Sequence, residues 1–348
     1  MKVSLVVVCH HSSRVLPMCS ESFRREAAAA GVEAEVVAVE HSEDAAERAR
    51  VEAIGVDRVL ERPNRGYAAG LNSGAAEAGG EVLLLANPDI RFFPGSVRSL
   101  LEGIEQGFDV VGPQFIWDDD GQVLLPVAED PAPRAEFGRA IRRRSPRMWA
   151  AGLGRLLDET WRLWTAKETL PVAGLRGALL GVTGETLHRF GSFDEGYFLY
   201  YEETEWLWRA RRRGARLGLA AGARVQHRWG HATGQSDGAA EREEMSRRRF
   251  VARNYGGLWR RILRASGGGS REPMKVVRLD DEASIPEAEN DLWLASPFPH
   301  LMPALGTVRA GAMPAAFLDF CRAWRWVVAS ATRSDRDWRI TGAWTWGR

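Results

Sequence analysis

Three carboxylates fall within four positions, at Glu202, Glu203 and Glu205, in the run FLYYEETEWLWRARRRG (198–214). A carboxylate can take the proton of an attacking hydroxyl while a neighbour orients it, so the cluster is a candidate for general-base chemistry. A second candidate is Asn87-Pro88-Asp89, which ends the apolar run EVLLLA (81–86). Proline stiffens the turn, and two oxygen-bearing side chains flank it, which suits a hard divalent cation holding a diphosphate. His227, at the end of ARVQH, offers a further donor. Each feature has a plainer alternative. Acids in the first turn of a helix and arginines in its last answer the helix dipole. Asn-Pro-Asp is also an ordinary turn, and a histidine after a strand is often a loop residue.

The elements that must position these groups can be read from hydrophobic patterning. VSLVVV (3–8) is a continuous apolar run of the kind buried on both faces of a parallel sheet, and a polar loop and a helix over 15–30 follow it. The strand AEVVAVE (34–40), a helix over 43–54, a short strand at 57–60, a helix over 66–78 and the strand EVLLLA continue the alternation. This is the pattern of a doubly wound α/β sheet, which binds ligands beyond the carboxyl ends of its strands. The strand ends here carry His10 and His11, then Glu40, then Asn64 and Arg65, then Asn87 and Asp89. No G-x-G-x-x-G follows the first strand and no P-loop motif occurs, which removes dinucleotide-binding Rossmann enzymes and P-loop NTPases. Within 191–231 the glutamates open a helix that stops at Gly214, and two short strand-like runs lead on to His227.

Composition excludes further classes. Acids (46) and bases (47) nearly cancel, without the basic field of a nucleic-acid binder, so no nucleic-acid partner is expected. Cys9, Cys19 and Cys321 form neither a disulfide framework nor a metal cluster, and a reducing compartment is expected. The N-terminus lacks the features of a signal peptide, and no apolar run is long enough to span a bilayer. The expected location is the cytoplasm, with the inner face of the membrane open to it.

Further along, a helix is expected over 94–106, a strand at FDVVGP and a hairpin about Asp118-Asp119-Asp120-Gly121, where Asp-Gly between apolar flanks favours a turn over a metal site. Residues 129–170 are basic, Trp-rich and helical with a break near Pro146, a segment suited to covering the site as an acceptor lid, to lying on an anionic membrane, or to plain packing. Thr183 or Gly184 starts a short helix, 236–255 form a charged one, and SGGGSRE (266–272) is a linker. Beyond it the chain reads as irregular, with a helix over FLDFCRAWRWVVASA and no chemistry. Trp324 and Trp326 with Arg322 and Arg325 fit a membrane-surface patch, a dimer face or packing on the first domain.

The succession VSLVVVCHH, AEVVAVEHSED, RPNRGYAAGLNSGAA, EVLLLANPDI, FDVVGP and GALLG…FDEGYFLYYEETEWLWRARRRG…ARVQH resembles family 2 of the glycosyltransferases, closest to its rhamnosyltransferase-like branch. The resemblance covers roughly residues 1–235. It implies a GT-A fold, a Rossmann-like α/β nucleotide-diphosphosugar transferase domain over 1–235 with 129–170 as a helical insertion and 236–348 as a helical and irregular extension. By the same resemblance, Cys9, His10 and His11 line the nucleotide base and Glu40 holds it. Asn64, Arg65, Gly66, Gly70 and Asn72 lie beside the ribose and diphosphate, and Asn87, Arg176 and Gly177 also face the donor. Asp89 and His227 bind Mg²⁺ or Mn²⁺, and Glu203 is the base with Glu202 and Glu205 in support. Where the family usually has Asp, this chain has Glu40, Glu203 and Glu205.

The implied reaction is an inverting, metal-dependent transfer of a sugar from a UDP- or dTDP-linked donor to a hydroxyl of a glycan, a lipid-linked acceptor or a small molecule, in polysaccharide or glycoconjugate assembly. A degenerate nucleotide-sugar-binding protein and a nucleotidyltransferase are the alternatives. Peripheral membrane association and a homodimer are compatible with the sequence.

Overall fold

β1 (Lys2–Cys9) is buried from Val3 onward, as a strand must be when parallel neighbours flank it and helices cover both faces. In the computed structural model, the described residues are 1–227, 238–266, 273–280, 283–286, 290–308, 313–334 and 337–347. After β1 come α1 (Leu16–Ala30), β2 (Glu33–Glu40), α2 (Ala45–Ala53), β3 (Arg58–Glu61), α3 (Tyr67–Glu77), β4 (Val82–Ala86), β5 (Ile90–Phe92), α4 (Ser96–Glu105) and β6 (Val110–Ile116). Local chemistry sets their ends. Pro17 sits in the first turn of α1, Gly31 closes it in the left-handed conformation, and Asp44 caps α2 by accepting from the N–H groups of Ala46 and Glu47.

The chain continues through α5 (Pro133–Arg144), α6 (Pro146–Trp164), β7 (Leu170–Pro171), β8 (Leu179–Thr183), α7 (Gly184–Phe190), α8 (Glu202–Arg212), β9 (Leu217–His227) and α9 (Ala239–Asn254). The remainder holds α10 (Gly257–Ser266), β10 (Val277–Leu279), β11 (Leu292–Ser296), β12 (Leu305–Val308), α11 (Ala315–Ala323), β13 (Val327–Arg333) and β14 (Trp338–Trp346). Two structural units result. One comprises residues 1–115, 127–131 and 167–255, the other 116–126, 132–166 and 256–348.

The first unit is built on a sheet ordered β3-β2-β1-β4-β8-β6-β9-β5, with β7 beside β9. β3, β2, β1 and β4 are parallel, whereas β8 runs antiparallel to β4 and β9 antiparallel to β5. Its core joins Val6, Leu85 and Leu180 of the sheet to Trp206, Leu207 and Ala210 of α8. Trp206 is wholly buried, stacks on Phe193 at 5.0 Å and donates its indole N–H to Gly191 O, so α8 is locked to the sheet by a residue whose truncation costs roughly 3–5 kcal/mol. The two strand-like runs expected before His227 are a single strand, β9, that passes through Gly222.

The second unit has a five-stranded sheet ordered β10-β14-β13-β11-β12. The C-terminal stretch is therefore not the helical and irregular extension expected. Its helix ends at Ala323, and Val327–Arg333 is strand because a left-handed Arg325 turns the chain and the β-branched Val327 and Val328 are buried in the sheet. The tryptophans of this unit are largely packing residues with satisfied indoles: Trp149 donates to His300 O, Trp164 to Leu125 O and Trp338 to Asp158 Oδ1. Asp118 forms a turn by accepting from the Gln122 and Val123 N–H groups, as the Asp-Gly signal implied. The linker expected at 266–272 lies outside the described residues except for Ser266, which ends α10.

Candidate active site

β4 ends at Ala86, and the Asn87 N–H donates to Ala178 O across the sheet. The chain turns at Pro88 and enters β5, which pairs with β9 in the register Ile90↔His227. That register brings Asp89 and His227 together although 137 positions separate them, with Asp89 Oδ1 3.7 Å from His227 Nε2. Phe115 packs against the imidazole at 5.9 Å. Burial lowers the imidazole pKa, Asp89 opposes that effect and Arg176 adds to it, which favours the neutral ring that can ligate a metal. Two donors on one small divalent ion lie about 3–4 Å apart at bond lengths of about 2.1 Å, so the pair fits Mg²⁺ or Mn²⁺. No group of three or more acidic, histidine or cysteine side chains that could hold a metal occurs among the described residues. A site with two protein donors leaves the remaining positions to phosphate oxygens and water, the usual habit of Mg²⁺.

The glutamates open α8 behind two consecutive left-handed residues, Tyr200 (φ 68°) and Tyr201 (φ 66°). Such backbone costs on the order of 1 kcal/mol or more per non-glycine residue, and Tyr201 is held in place against Phe250 at 5.6 Å. The three side chains have different surroundings. Glu205 makes a two-pronged pair with Arg209 (3.1 and 3.2 Å), which also donates to Phe190 O and Ser192 O. Through Arg209 it anchors the 190–192 turn. Glu202 is buried with its Oε2 lacking a partner, and burial followed by the neighbouring Glu203 charge pushes its pKa well above the carboxylate range. Glu203 is half-buried and rests on Gly177, where an added Cβ would stand 2.6 Å from its Cγ. Burial raises its pKa too, and hydrogen bonds from its own N–H and from Thr204, with the Arg176 charge, offset this only in part. Arg176 is itself desolvated, with its pKa lowered to about 10 against the opposing pull of Glu129 and Glu203.

The expected nucleotide contacts divide into groups with free polar atoms and groups already engaged. Glu40 is buried at the end of β2, with Oε1 accepting from the Ser42 N–H at 2.6 Å and Oε2 lacking a partner. His10 and His11 are exposed just past β1 and meet edge to face at 4.8 Å. The side chain of Cys9 is wholly buried, and burial raises the pKa of its thiol. The amide of Asn72 bridges Phe193 N, Phe193 O and Glu195 and ties α3 to the segment before α8. Arg65 pairs with Glu195 at the surface (2.8 Å), and Asn64 Oδ1 accepts from the Gly66 N–H at the start of α3. Gly66 (φ 98°) lets Phe198 O approach, for a Cβ there would sit 2.4 Å from it, and a Cβ on Gly70 would meet Val8. One further residue belongs with these side chains. Tyr67 has a buried hydroxyl without a partner among the described residues, its pKa raised by burial and then by the charges of Glu202, Glu203 and Asp89. Its position in the first turn after Gly66 was the available signal, because a buried tyrosine normally finds a hydrogen-bond partner.

The mixed sheet, with Asp89, His227 and the α8 glutamates beyond its strand ends, has the architecture of the GT-A fold. A solved structure of GalNAc-T7 with UDP, GalNAc and Mn²⁺ shares that fold at a TM-score of 0.50 and 15% identity, covering 76% of this chain and 54% of that one. Residues 4–157 match the model of glycosyl transferase family 2. Among curated proteins, an N-acetylglucosaminyl-diphospho-decaprenol L-rhamnosyltransferase of Mycobacterium tuberculosis is 29% identical over 238 residues, 60% of this chain and 70% of that protein. A hexosyltransferase of low-salt glycan biosynthesis from Haloferax volcanii is 27% identical over 161 residues, 44% of this chain and 46% of its own.

Proposed function

We propose that the protein moves a sugar, with inversion, from a nucleotide-diphosphosugar (UDP- or dTDP-linked) to an acceptor hydroxyl in glycan or glycoconjugate assembly. The single observation that carries this reading is the division of labour among the α8 glutamates. Glu205 is neutralised by Arg209 and Glu202 is shut in, which leaves Glu203 half-buried, without a salt bridge among the described residues and with a raised pKa. A carboxylate in that state is suited to taking the acceptor's proton as its oxygen attacks, a contribution of about 10²–10⁴ in rate. Gly177 fixes the height of Glu203, and Arg176 keeps a positive charge beside it as the negative charge of the leaving group grows. Glu40 accepts a donor group of the base through its unpartnered oxygen. Asp89 and His227 would hold Mg²⁺ or Mn²⁺, whose charge would stabilise the departing diphosphate. The relatives named for rhamnosyl and hexosyl transfer, and the GalNAc-T7 complex with UDP and Mn²⁺, support the substrate class and the metal. Incubating the protein with UDP-, dTDP- and GDP-sugars, Mn²⁺ and candidate acceptors tests the proposal. Release of nucleoside diphosphate that requires an acceptor is expected from one donor, whereas binding without release, or release of pyrophosphate, contradicts it.

A further inference from the structure

The second unit carries a charge distribution that transfer chemistry does not use. α5, the first turn of α6, and α10 together hold nine arginines against one acid, Glu136, in a chain whose overall charge is only +1. α10 packs on α5, Trp259 meets Phe137 at 6.3 Å, and Arg144 donates to Ala265 O, which ties the ends of the two helices together. No residue of α10 is buried, although Leu258, Trp259, Ile262 and Leu263 are apolar. Leu258 is 71% exposed and Met148 49% exposed, and Arg144, Arg147, Arg261 and Arg264 are exposed as well. At 100° per residue Leu258, Arg261, Arg264 and Ala265 fall on one arc of α10, so an apolar side chain and two guanidinium groups point the same way. A helix that lays Trp259 on Phe137 and turns Leu258 out to solvent beside Arg261 and Arg264 has the chemistry of an interfacial helix.

We propose that α10, with the adjoining ends of α5 and α6, is a docking surface for an anionic lipid bilayer. Charge complementarity selects this occupant: phosphate headgroups answer the arginines, and Leu258 and Met148 enter the headgroup boundary. A protein partner would need a matching run of carboxylates against the exposed Arg147, Arg261 and Arg264. The inference stands apart from the identity of the donor sugar, because it concerns residues outside the transfer site.

The test is sedimentation of the full chain with vesicles of phosphatidylcholine alone or containing phosphatidylglycerol, across a salt series. Binding to the anionic vesicles that weakens as salt rises is expected. Arg261→Glu/Arg264→Glu should weaken it by about thirty-fold or more, since each basic residue near an anionic surface contributes about a factor of five. Leu258→Ser should weaken it at all salt concentrations, including those that screen the arginines. All three substitutions lie on an exposed arc, so circular dichroism and nucleoside-diphosphate release should match the unaltered protein. Equal binding to neutral vesicles, an unchanged affinity of the double variant, or capture by a polynucleotide with no vesicle binding would each overturn the proposal.

Discussion

Replacing Gly177 by alanine adds one carbon beneath the proposed base. Its Cβ would stand 2.6 Å from Glu203 Cγ and 3.0 Å from both Cβ and Cδ of that side chain. Ordinary contact begins near 3.4 Å, so the Cγ must retreat by about 0.8 Å. These atoms are the middle of the side chain rather than a free end, and Glu203 Cβ is fixed to α8, so the carboxylate must swing to a new position. A misplacement of about 1 Å at a reacting group costs on the order of 100-fold in rate, roughly 2.7 kcal/mol of transition-state stabilisation. The backbone itself accepts alanine, because Gly177 is not in the left-handed region. The assay is nucleoside-diphosphate release at saturating donor and acceptor, alongside titration of the nucleoside diphosphate. A kcat lowered about 100-fold with unchanged nucleotide affinity is expected, and the double variant with Glu203→Gln should be no slower than Glu203→Gln alone. A kcat within about threefold of the unaltered enzyme would refute the placement of the base.

The remaining predictions concern the residues around Glu203. Glu202 has a folded pKa raised above the ordinary carboxylate value of about 4.3, so the folded protein keeps a proton that the unfolded chain has lost. Stability therefore falls as pH rises from that value through the folded pKa. Glu202→Gln should raise Tm at about pH 8 and converge with the unaltered protein near about pH 4 in calorimetry. Glu205→Gln breaks the half-buried pair with Arg209 and should lower stability by about 1 kcal/mol in urea titration while leaving kcat within a fewfold. Asp89→Asn and His227→Ala should each weaken Mn²⁺ binding seen by calorimetry in the presence of nucleoside diphosphate. Combining them should add little, since both would serve one ion.

Much of the first unit was legible because its elements carry their own signals: unbroken apolar runs for β1, β2 and β4, a capping Asp44 and a closing Gly31. The candidate residues Glu40, Asn87 and Asp89 were legible for the same reason, since they stand where the apolar runs of β2 and β4 stop. The approach of His227 to Asp89 rests on β5, a strand of only three residues, too short to show a periodicity. The partners of Glu205 and Asn72 could not be read in one dimension, where polarity is visible and neighbours are not. Arg209 and Phe193, which engage them, become neighbours only on folding. Cys9 stands at a strand end but its side chain is buried, a direction that depends on which face of the sheet it meets. The C-terminal strands were hidden because tryptophans at Trp338, Trp344 and Trp346 fit a surface stripe as well as a sheet core, and burial decides between them.

Glu203→Gln is the most direct test of the account. The substitution keeps the shape of the side chain and removes the group that accepts the acceptor's proton. With a donor and acceptor that support turnover, acceptor-dependent nucleoside-diphosphate release should fall by about 10²-fold or more while affinity for the nucleoside diphosphate stays the same. Release at close to the unaltered rate, with nucleotide still bound, would contradict the assignment of Glu203 as the base.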